Sequence, residues 1–186
     1  NISRTYAFYQ VWGKDFISMF PNSTYRILST KDFSESIPFA QHVDFIPTME
    51  EYQNLIFGFS ESLYNFCTNS TARWYIRTTE DVFVDLRKIP IFFEELEEKF
   101  DTDKDFVIKG QVCRIDNDYA FIHGGAGWVM SRKAAQLTNK YMNKFLSYFF
   151  SMNSGDDTIT YIIKNFFGLS DIEMHSEYFL STKLSN

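Results

Sequence analysis

The sequence predicts a mixed α/β fold in which helices cover both faces of a sheet. Short apolar runs bounded by turn residues, at positions 24–28 and 42–46, are typical of strands. Apolar residues recur at helical spacing between Glu50 and Cys67, which predicts a helix there. Strands and helices alternate early in the chain, and this order favours a sheet that is covered on both sides.

Further helices are predicted from residues that start or stop them. Residues 5–16 are predicted to form a short helix. Pro90 suits the first turn of a helix that includes FFEELEEKF, because that position needs no backbone N–H. Ser131 is predicted to cap a helix that runs through KAAQLTNKYMNKF. The last helix begins at Asp156 or Asp157 and ends at Gly168.

Four more strands complete the prediction. One covers residues 74–76, and two lie between Asp105 and Ile115. WVMS, at residues 128–131, is read as a strand that follows a glycine-rich segment. With 186 residues the chain is long enough to bury a sizeable core, and we expect one domain over residues 1–186.

Composition narrows the range of partners. The formal charge is −6 and no basic cluster occurs, which argues against nucleic acid as a partner. An acidic protein can still bind a diphosphate if a metal offsets the repulsion. No apolar run reaches transmembrane length and no signal peptide is visible, so a membrane is expected as a partner only through an anchor absent from this chain.

Sequons and cysteines bear on the compartment. N-x-S/T sequons occur at Asn1, Asn22 and Asn69 and favour a secretory lumen, although chance matches are expected in a chain rich in Asn, Ser and Thr. Cys67 and Cys113 allow one disulfide or two buried free thiols, and their spacing does not decide between them.

The strand of residues 74–76 leads into an acidic pair, Glu80 and Asp81. Ligands of α/β sheets bind beyond the carboxyl ends of strands, so this pair is a candidate metal site. Mn²⁺ and Mg²⁺ prefer oxygen ligands, and few protein carboxylates are needed when a diphosphate supplies the others. The alternative is a solvated acidic turn.

Two other acidic segments are predicted to be solvated loops. Residues 101–105 alternate Asp as a calcium loop does, but position 6 of that loop would be Phe106 and position 12 would be Val112, where Gly and Glu are required. Asp116 and Asp118 share D-x-D spacing without an adjoining pattern.

The segment GGAG, residues 124–127, has almost no side chains, so its backbone can approach a ligand closely. The alternative is a tight bend before the following strand. Trp128 either stacks on a sugar or packs in the core, and the core is the default expectation for a Trp in a strand.

Two candidate sites come late in the chain. The adjacent carboxylates of Asp156 and Asp157 exceed what capping needs, and the second is a candidate general base that takes a proton from an acceptor hydroxyl. His175, in a polar MHSE context, is either a metal ligand or a structural histidine.

These segments occur in an order that resembles the Fringe-like and β1,3-galactosyl/N-acetylglucosaminyltransferase superfamily, over residues 50–179. The matching positions are the acidic motif at 79–81 with the following 82–84, GGAG and Trp128 with Ser131, the acidic pair and helix at 156–161, and the late histidine segment at 175–177.

The resemblance implies a glycosyltransferase-A fold, with a mixed, mostly parallel sheet and helices on both faces. It implies a metal site that contains Asp81 and Glu80 and is completed by His175 or Glu177, with Mn²⁺ or Mg²⁺ as the cofactor. Asp157 matches the catalytic base and Asp156 its neighbour. Residues matching the donor and acceptor pocket are Gly124, Gly125, Ala126, Gly127 and Trp128.

The implied reaction is inverting transfer of GlcNAc or galactose from a UDP-sugar to a hydroxyl of a glycan or glycoprotein, in β1,3 linkage. The implied setting is the Golgi or secretory lumen, in a type II membrane protein. The alternative is an inactive glycan- or protein-binding module on the same fold, since Thr79 and Glu80 depart from the acidic motif. His123 also departs from the family pattern, which has a small residue there, and no counterpart of the family's first strand precedes Thr5.

Overall fold

The computed structural model describes residues 6–29, 43–45, 55–79, 82–152 and 157–180. In chain order, its strands are β1 (Ile27–Ser29), β2 (Val43–Phe45), β3 (Trp74–Arg77), β4 (Ile108–Gly110), β5 (Val112–Arg114), β6 (Ala120–Ile122) and β7 (Trp128–Ser131). Its α-helices are α1 (Lys14–Met19), α2 (Leu55–Asn69), α3 (Ile89–Glu97), α4 (Arg132–Lys140), α5 (Met142–Met152), α6 (Asp157–Phe167) and α7 (Asp171–Met174). A π-helical segment, Tyr9–Gly13, precedes α1, and a 3₁₀ turn, Gly124–Ala126, precedes β7.

The prediction of a mostly parallel sheet is wrong for the described strands. Among the strands that the structure describes, β1 and β2 alone pair in parallel. The main sheet has the order β3-β7-β4 and both of its pairings are antiparallel, and β5 and β6 form a separate antiparallel hairpin. The loop of residues 115–119, which joins β5 and β6, is too short for a parallel crossover, because such a crossover needs about a dozen residues. The short spacing between these two strands therefore requires them to pair antiparallel. Strand β7 lies between β3 and β4 and runs antiparallel to both, so β3 and β4 point in the same direction.

The mixed α/β class and the covering of both faces are confirmed at β7, where all four residues are buried. Trp128 and Met130 belong to the large core cluster with residues of α2, α4, α5 and α6. Val129 points the opposite way and packs against Phe92 and Leu96 of α3. This alternation puts helices on both faces of the central strand.

Several local signals act as predicted. Pro90 lies in the first turn of α3. The Ser131 hydroxyl accepts a hydrogen bond from the Ala134 N–H at 3.2 Å and caps α4. Gly168 ends α6 with φ +67°, a conformation that L side chains rarely adopt. The helix predicted to run past Tyr141 instead breaks there, because Tyr141 leaves the helical region at φ −101° and ψ 10°.

The structure also bears on the predictions for the cysteines, the sequons and the two acidic loops. Cys67 and Cys113 are free thiols, both half-buried. Asn22 and Asn69 are exposed, and Asn1 lies outside the described residues. The loops of residues 101–105 and 116–118 expose their carboxylates and use them on their own backbone, with Asp116 Oδ1 accepting from the N–H of Asp118 at 2.9 Å.

Candidate functional site

One row of backbone pairings crosses the main sheet and joins three of the motifs. Arg77, at the end of β3, pairs with Trp128 at the start of β7. Trp128 pairs on its other side with Gly110, the last residue of β4. Gly110 in turn forms a parallel bridge with His175, and its carbonyl accepts from the Ser176 N–H at 2.9 Å. The strand before the acidic pair, the glycine turn and the late histidine segment therefore meet at one edge of the sheet.

The glycine turn packs directly on the end of β3. Gly127 has φ +78°, and a Cβ added there would lie 3.1 Å from both the Arg77 carbonyl oxygen and Thr78 Cγ2. Only glycine allows the turn to approach the strand this closely. Thr78 and Thr79 lead from this contact to the acidic pair.

Glu80 and Asp81 themselves lie outside the described residues, but both flanks are held. The Val82 N–H donates to the Thr79 carbonyl at 3.3 Å. The Val82 carbonyl accepts from the indole Nε1–H of Trp12 at 3.0 Å, and Trp12 packs in a cluster with Phe16 and Leu86. The helical N-terminal segment therefore anchors the chain immediately after the acidic pair.

The fourth motif joins through α6, which begins at Asp157. Thr160, one helical turn later, is fully buried, and its Oγ1 accepts from the Ile122 N–H at 2.9 Å and donates to the Ile122 carbonyl at 3.1 Å. Ile122 ends β6 and immediately precedes His123 and the glycine turn. The start of α6 is thereby fixed beside the turn, while Asp156 lies outside the described residues.

Gly110 is a site residue that the sequence analysis missed. A Cβ at this position would lie 2.2 Å from Ile122 Cγ2 and 3.0 Å from Trp128 Cβ, so no other residue fits without a shift. A glycine that ends a strand often marks such a close approach, and that was the available signal in the segment DFVIKG.

His123 lies between β6 and the glycine turn. Its N–H donates to the Gln111 carbonyl at 2.8 Å, and its carbonyl accepts from the Ala126 N–H at 3.1 Å. The imidazole is half-buried and lies against Gly125, where an added Cβ would be 2.8 Å from its Cε1. Its Nδ1 is buried without a hydrogen-bond partner in the part of the chain that the structure describes.

The Trp128 indole packs in the core, which confirms the default expectation for this residue. It is 1% exposed and packs edge-on against Phe59, with ring centroids 5.4 Å apart. The Arg77 guanidinium lies over its other side, with Cζ 5.8 Å from the ring centroid. Trp128 thus reaches the site through its backbone, whereas Gly125 is the exposed member of the glycine turn.

His175 and Glu177 are both exposed, at the far end of the backbone row. Helix α7 holds this segment in place through a capping box between Ser170 and Glu173. Asp171 in the same helix pairs with Lys164 of α6 at 2.5 Å and with Arg114 of β5. The hydrogen bond from Lys164, together with the nearby positive charges, lowers the pKa of the Asp171 carboxyl.

The side chains proposed as metal ligands at this edge of the sheet suit a hard divalent cation, since carboxylate oxygens and an imidazole are common ligands of Mn²⁺. Within residues 6–29, 43–45, 55–79, 82–152 and 157–180, no three His, Cys, Asp or Glu residues lie close enough together to hold a metal. The predicted ligands Glu80 and Asp81 fall outside those ranges. Of the predicted metal ligands, the structure therefore describes His175 and Glu177.

Comparisons with known proteins agree with the motif order. The family model described as Fringe-like matches residues 47–184. No curated protein matches the chain. In the described part of the chain, no helix combines the length and the apolar character needed to cross a membrane. Fringe-like proteins are glycosyltransferases, and because the family model covers most of the sequence, this protein belongs to the Fringe-like family.

Proposed function

We propose that the protein is a metal-dependent, inverting glycosyltransferase that moves GlcNAc or galactose from a UDP-sugar to a hydroxyl of a glycan or glycoprotein, in β1,3 linkage. One observation carries the proposal. The row from Arg77 through Trp128 and Gly110 to His175, with the contact between Thr160 and Ile122, connects the described parts of four separate motifs, and this supports a shared site. Membership of a glycosyltransferase family supports the same reaction class.

The metal would be held by Asp81 and Glu80 from one side and by His175 or Glu177 from the other. Asp81 is four residue steps beyond Arg77, and four steps can span up to about 14 Å. Three strand spacings, about 14 Å in all, separate the backbones of Arg77 and His175 along the row. A bound Mn²⁺ or Mg²⁺ supplies charge that holds the diphosphate and stabilises the departing UDP.

The glycine turn supplies a surface on which a bulky substrate can lie against backbone. Gly125 is exposed, and Gly124 and Ala126 form the 3₁₀ turn around it. Backbone N–H groups in such a turn are donors for sugar or phosphate oxygens, apart from those of Ala126 and Gly127, which donate to the His123 and Gly124 carbonyls. We assign the donor and acceptor pocket to this turn.

Asp157 is assigned the role of general base, with Asp156 beside it. It removes a proton from the acceptor hydroxyl as that oxygen attacks the anomeric carbon. A single displacement needs one base and one stabilised leaving group, and attack from the opposite face inverts the configuration. The contact between Thr160 and Ile122 keeps the start of α6 beside the glycine turn, where the acceptor must lie.

We also propose a luminal setting in the secretory pathway, with attachment through a type II anchor. The family and the exposed sequons at Asn22 and Asn69 support this setting. The second candidate is an inactive binding module on a glycosyltransferase-A fold. The observation that favours it is the occurrence of Thr79 and Glu80 in the acidic motif, which reduces the set of Asp ligands.

Titration calorimetry of UDP in the presence of Mn²⁺, and again with excess EDTA, tests the proposal. We expect binding in wild type that is lost with EDTA and lost in Asp81→Ala. Asp118→Ala is the matched control, because Asp118 is an exposed acidic loop residue away from the site, and it should bind as wild type does. Metal-independent binding of a glycan, with no UDP binding in any sample, would instead support the binding module.

A further inference from the structure

The His123 imidazole has a polar atom that the protein leaves unused. Its Nδ1 is buried and has no hydrogen-bond partner among the residues described, although the His123 backbone is held on both sides by hydrogen bonds to Gln111 and Ala126. Leaving such an atom unpaired in a buried place is unfavourable. A buried unpaired nitrogen of this kind needs a partner outside the described residues, and a water, an ion or a ligand can supply it.

The neighbouring glycine makes room for this ring. A Cβ at Gly125 would lie 2.8 Å from His123 Cε1 and 3.3 Å from Nδ1, so any side chain at position 125 would displace the imidazole. Gly125 is also the exposed residue of the turn. The pair therefore places a polar ring next to the exposed residue of the turn.

His123 lies on the acceptor side of the proposed site. It directly follows Ile122, whose backbone is bonded to Thr160 one turn into α6, so it is close to the helix that begins at the proposed base, Asp157. The metal-binding side is reached through Gly127 and Thr78, at the other end of the turn.

We propose that the His123 imidazole binds a hydroxyl group of the acceptor sugar and so helps to determine which acceptor is used. The inference rests on the proposed function. A sugar hydroxyl both donates and accepts, and it therefore matches either tautomer of the ring. Gly125 acts with His123, because it keeps the ring in position to make this contact.

Three substitutions separate polarity from shape. In His123→Asn the amide oxygen comes close to the position of Nδ1, in His123→Gln it comes close to that of Nε2, and His123→Phe keeps a ring without a polar atom. For each variant we would measure UDP affinity with Mn²⁺, and kcat and KM for methyl glycosides of galactose and GlcNAc. We expect His123→Phe and Gly125→Ala to raise the acceptor KM roughly tenfold, the effect of one lost hydrogen bond. His123→Asn should stay within about threefold of wild type, with UDP affinity unchanged in the His123 variants.

An acceptor KM in His123→Phe equal to that of wild type would overturn the inference. Equal increases in His123→Asn and His123→Phe would also overturn it, because they would show that only ring shape matters. UDP binding that fails in wild type would count against the proposed function instead.

The imidazole ¹⁵N signals give a readout that needs no turnover. The chain has three histidines, so His42 and His175 serve as internal controls during titration with the same methyl glycosides. A saturable shift confined to His123 Nδ1 supports the inference. Shifts absent at His123 with both glycosides would contradict it, whether or not UDP binds.

Discussion

The side-chain hydroxyl of Thr160 hydrogen-bonds both backbone groups of Ile122, accepting from its N–H at 2.9 Å and donating to its carbonyl at 3.1 Å. This buried contact joins the first turns of α6 to the strand that precedes the glycine turn. It therefore connects the helix that carries the proposed base to the surface on which the substrates are proposed to lie.

Thr160→Val should destabilise the protein by roughly 1–3 kcal/mol, because it leaves both backbone groups of Ile122 without this partner in a buried place. Thr138→Val is the matched control. Thr138 is equally buried, and its hydroxyl has no partner among the described residues, so its removal should be neutral or stabilising. Urea denaturation of both variants measures the difference, and equal losses would contradict the role assigned to Thr160.

Gly110→Ala should cost about 3 kcal/mol of unfolding free energy, since its Cβ would lie 2.2 Å from Ile122 Cγ2. Ile122→Ala removes that methyl group and leaves a cavity that costs roughly 2–5 kcal/mol. In the double variant the new methyl group occupies part of that cavity. The two losses should thus fall short of additivity by at least about 1 kcal/mol, and strict additivity in denaturant melts would show that the two residues do not touch.

Gly127→Ala and Gly168→Ala compare two glycines of positive φ, at +78° and +67°. Gly168 has open space around it, so its substitution should cost only about 1 kcal/mol and leave UDP binding intact. Gly127 packs on Arg77 and Thr78, and its substitution should cost roughly 2–5 kcal/mol and weaken UDP binding. Similar effects of the two variants on UDP affinity, measured where both are folded, would be evidence against a site at the glycine turn.

Asp171 should give the protein an acid-sensitive contribution to stability. Its pKa is lowered by the hydrogen bond from Lys164 and by nearby positive charge, so its stabilising effect is present above the unfolded pKa of about 3.9 and is lost as pH falls through the folded value. Asp171→Asn should cost about 1 kcal/mol at pH 7. Denaturation from pH 7 to pH 3 should show this gap closing below about pH 4, and a gap of constant size would contradict the ion-pair account.

Local chemistry was predictable from sequence where a single residue type decides it. Ser131 caps a helix and Gly168 ends one, because an N-cap needs a side-chain acceptor and a left-handed residue favours glycine. Tyr141 gave no such signal, and at the helix break its ring packs against Phe166 and Phe167.

The direction of the strands was less predictable. An apolar run such as that of β7 specifies burial on both faces but not which neighbours it finds, and β7 inserts antiparallel between β3 and β4. Gly110 was missed for the same reason. The position requires glycine because the Ile122 side chain packs closely against it, and Ile122 lies in a different sheet. The motif segments were identified from sequence, whereas the backbone row that joins them arises from the way the strands pair in the folded protein.

The most direct test of the central claim is release of UDP from a UDP-sugar in the presence of Mn²⁺ and methyl glycosides, with UDP affinity measured on the same samples. The account predicts turnover in wild type, and in Asp157→Asn a loss of at least about a hundredfold with UDP affinity unchanged. Full turnover in Asp157→Asn would contradict the assignment of the base and with it the proposed role of α6.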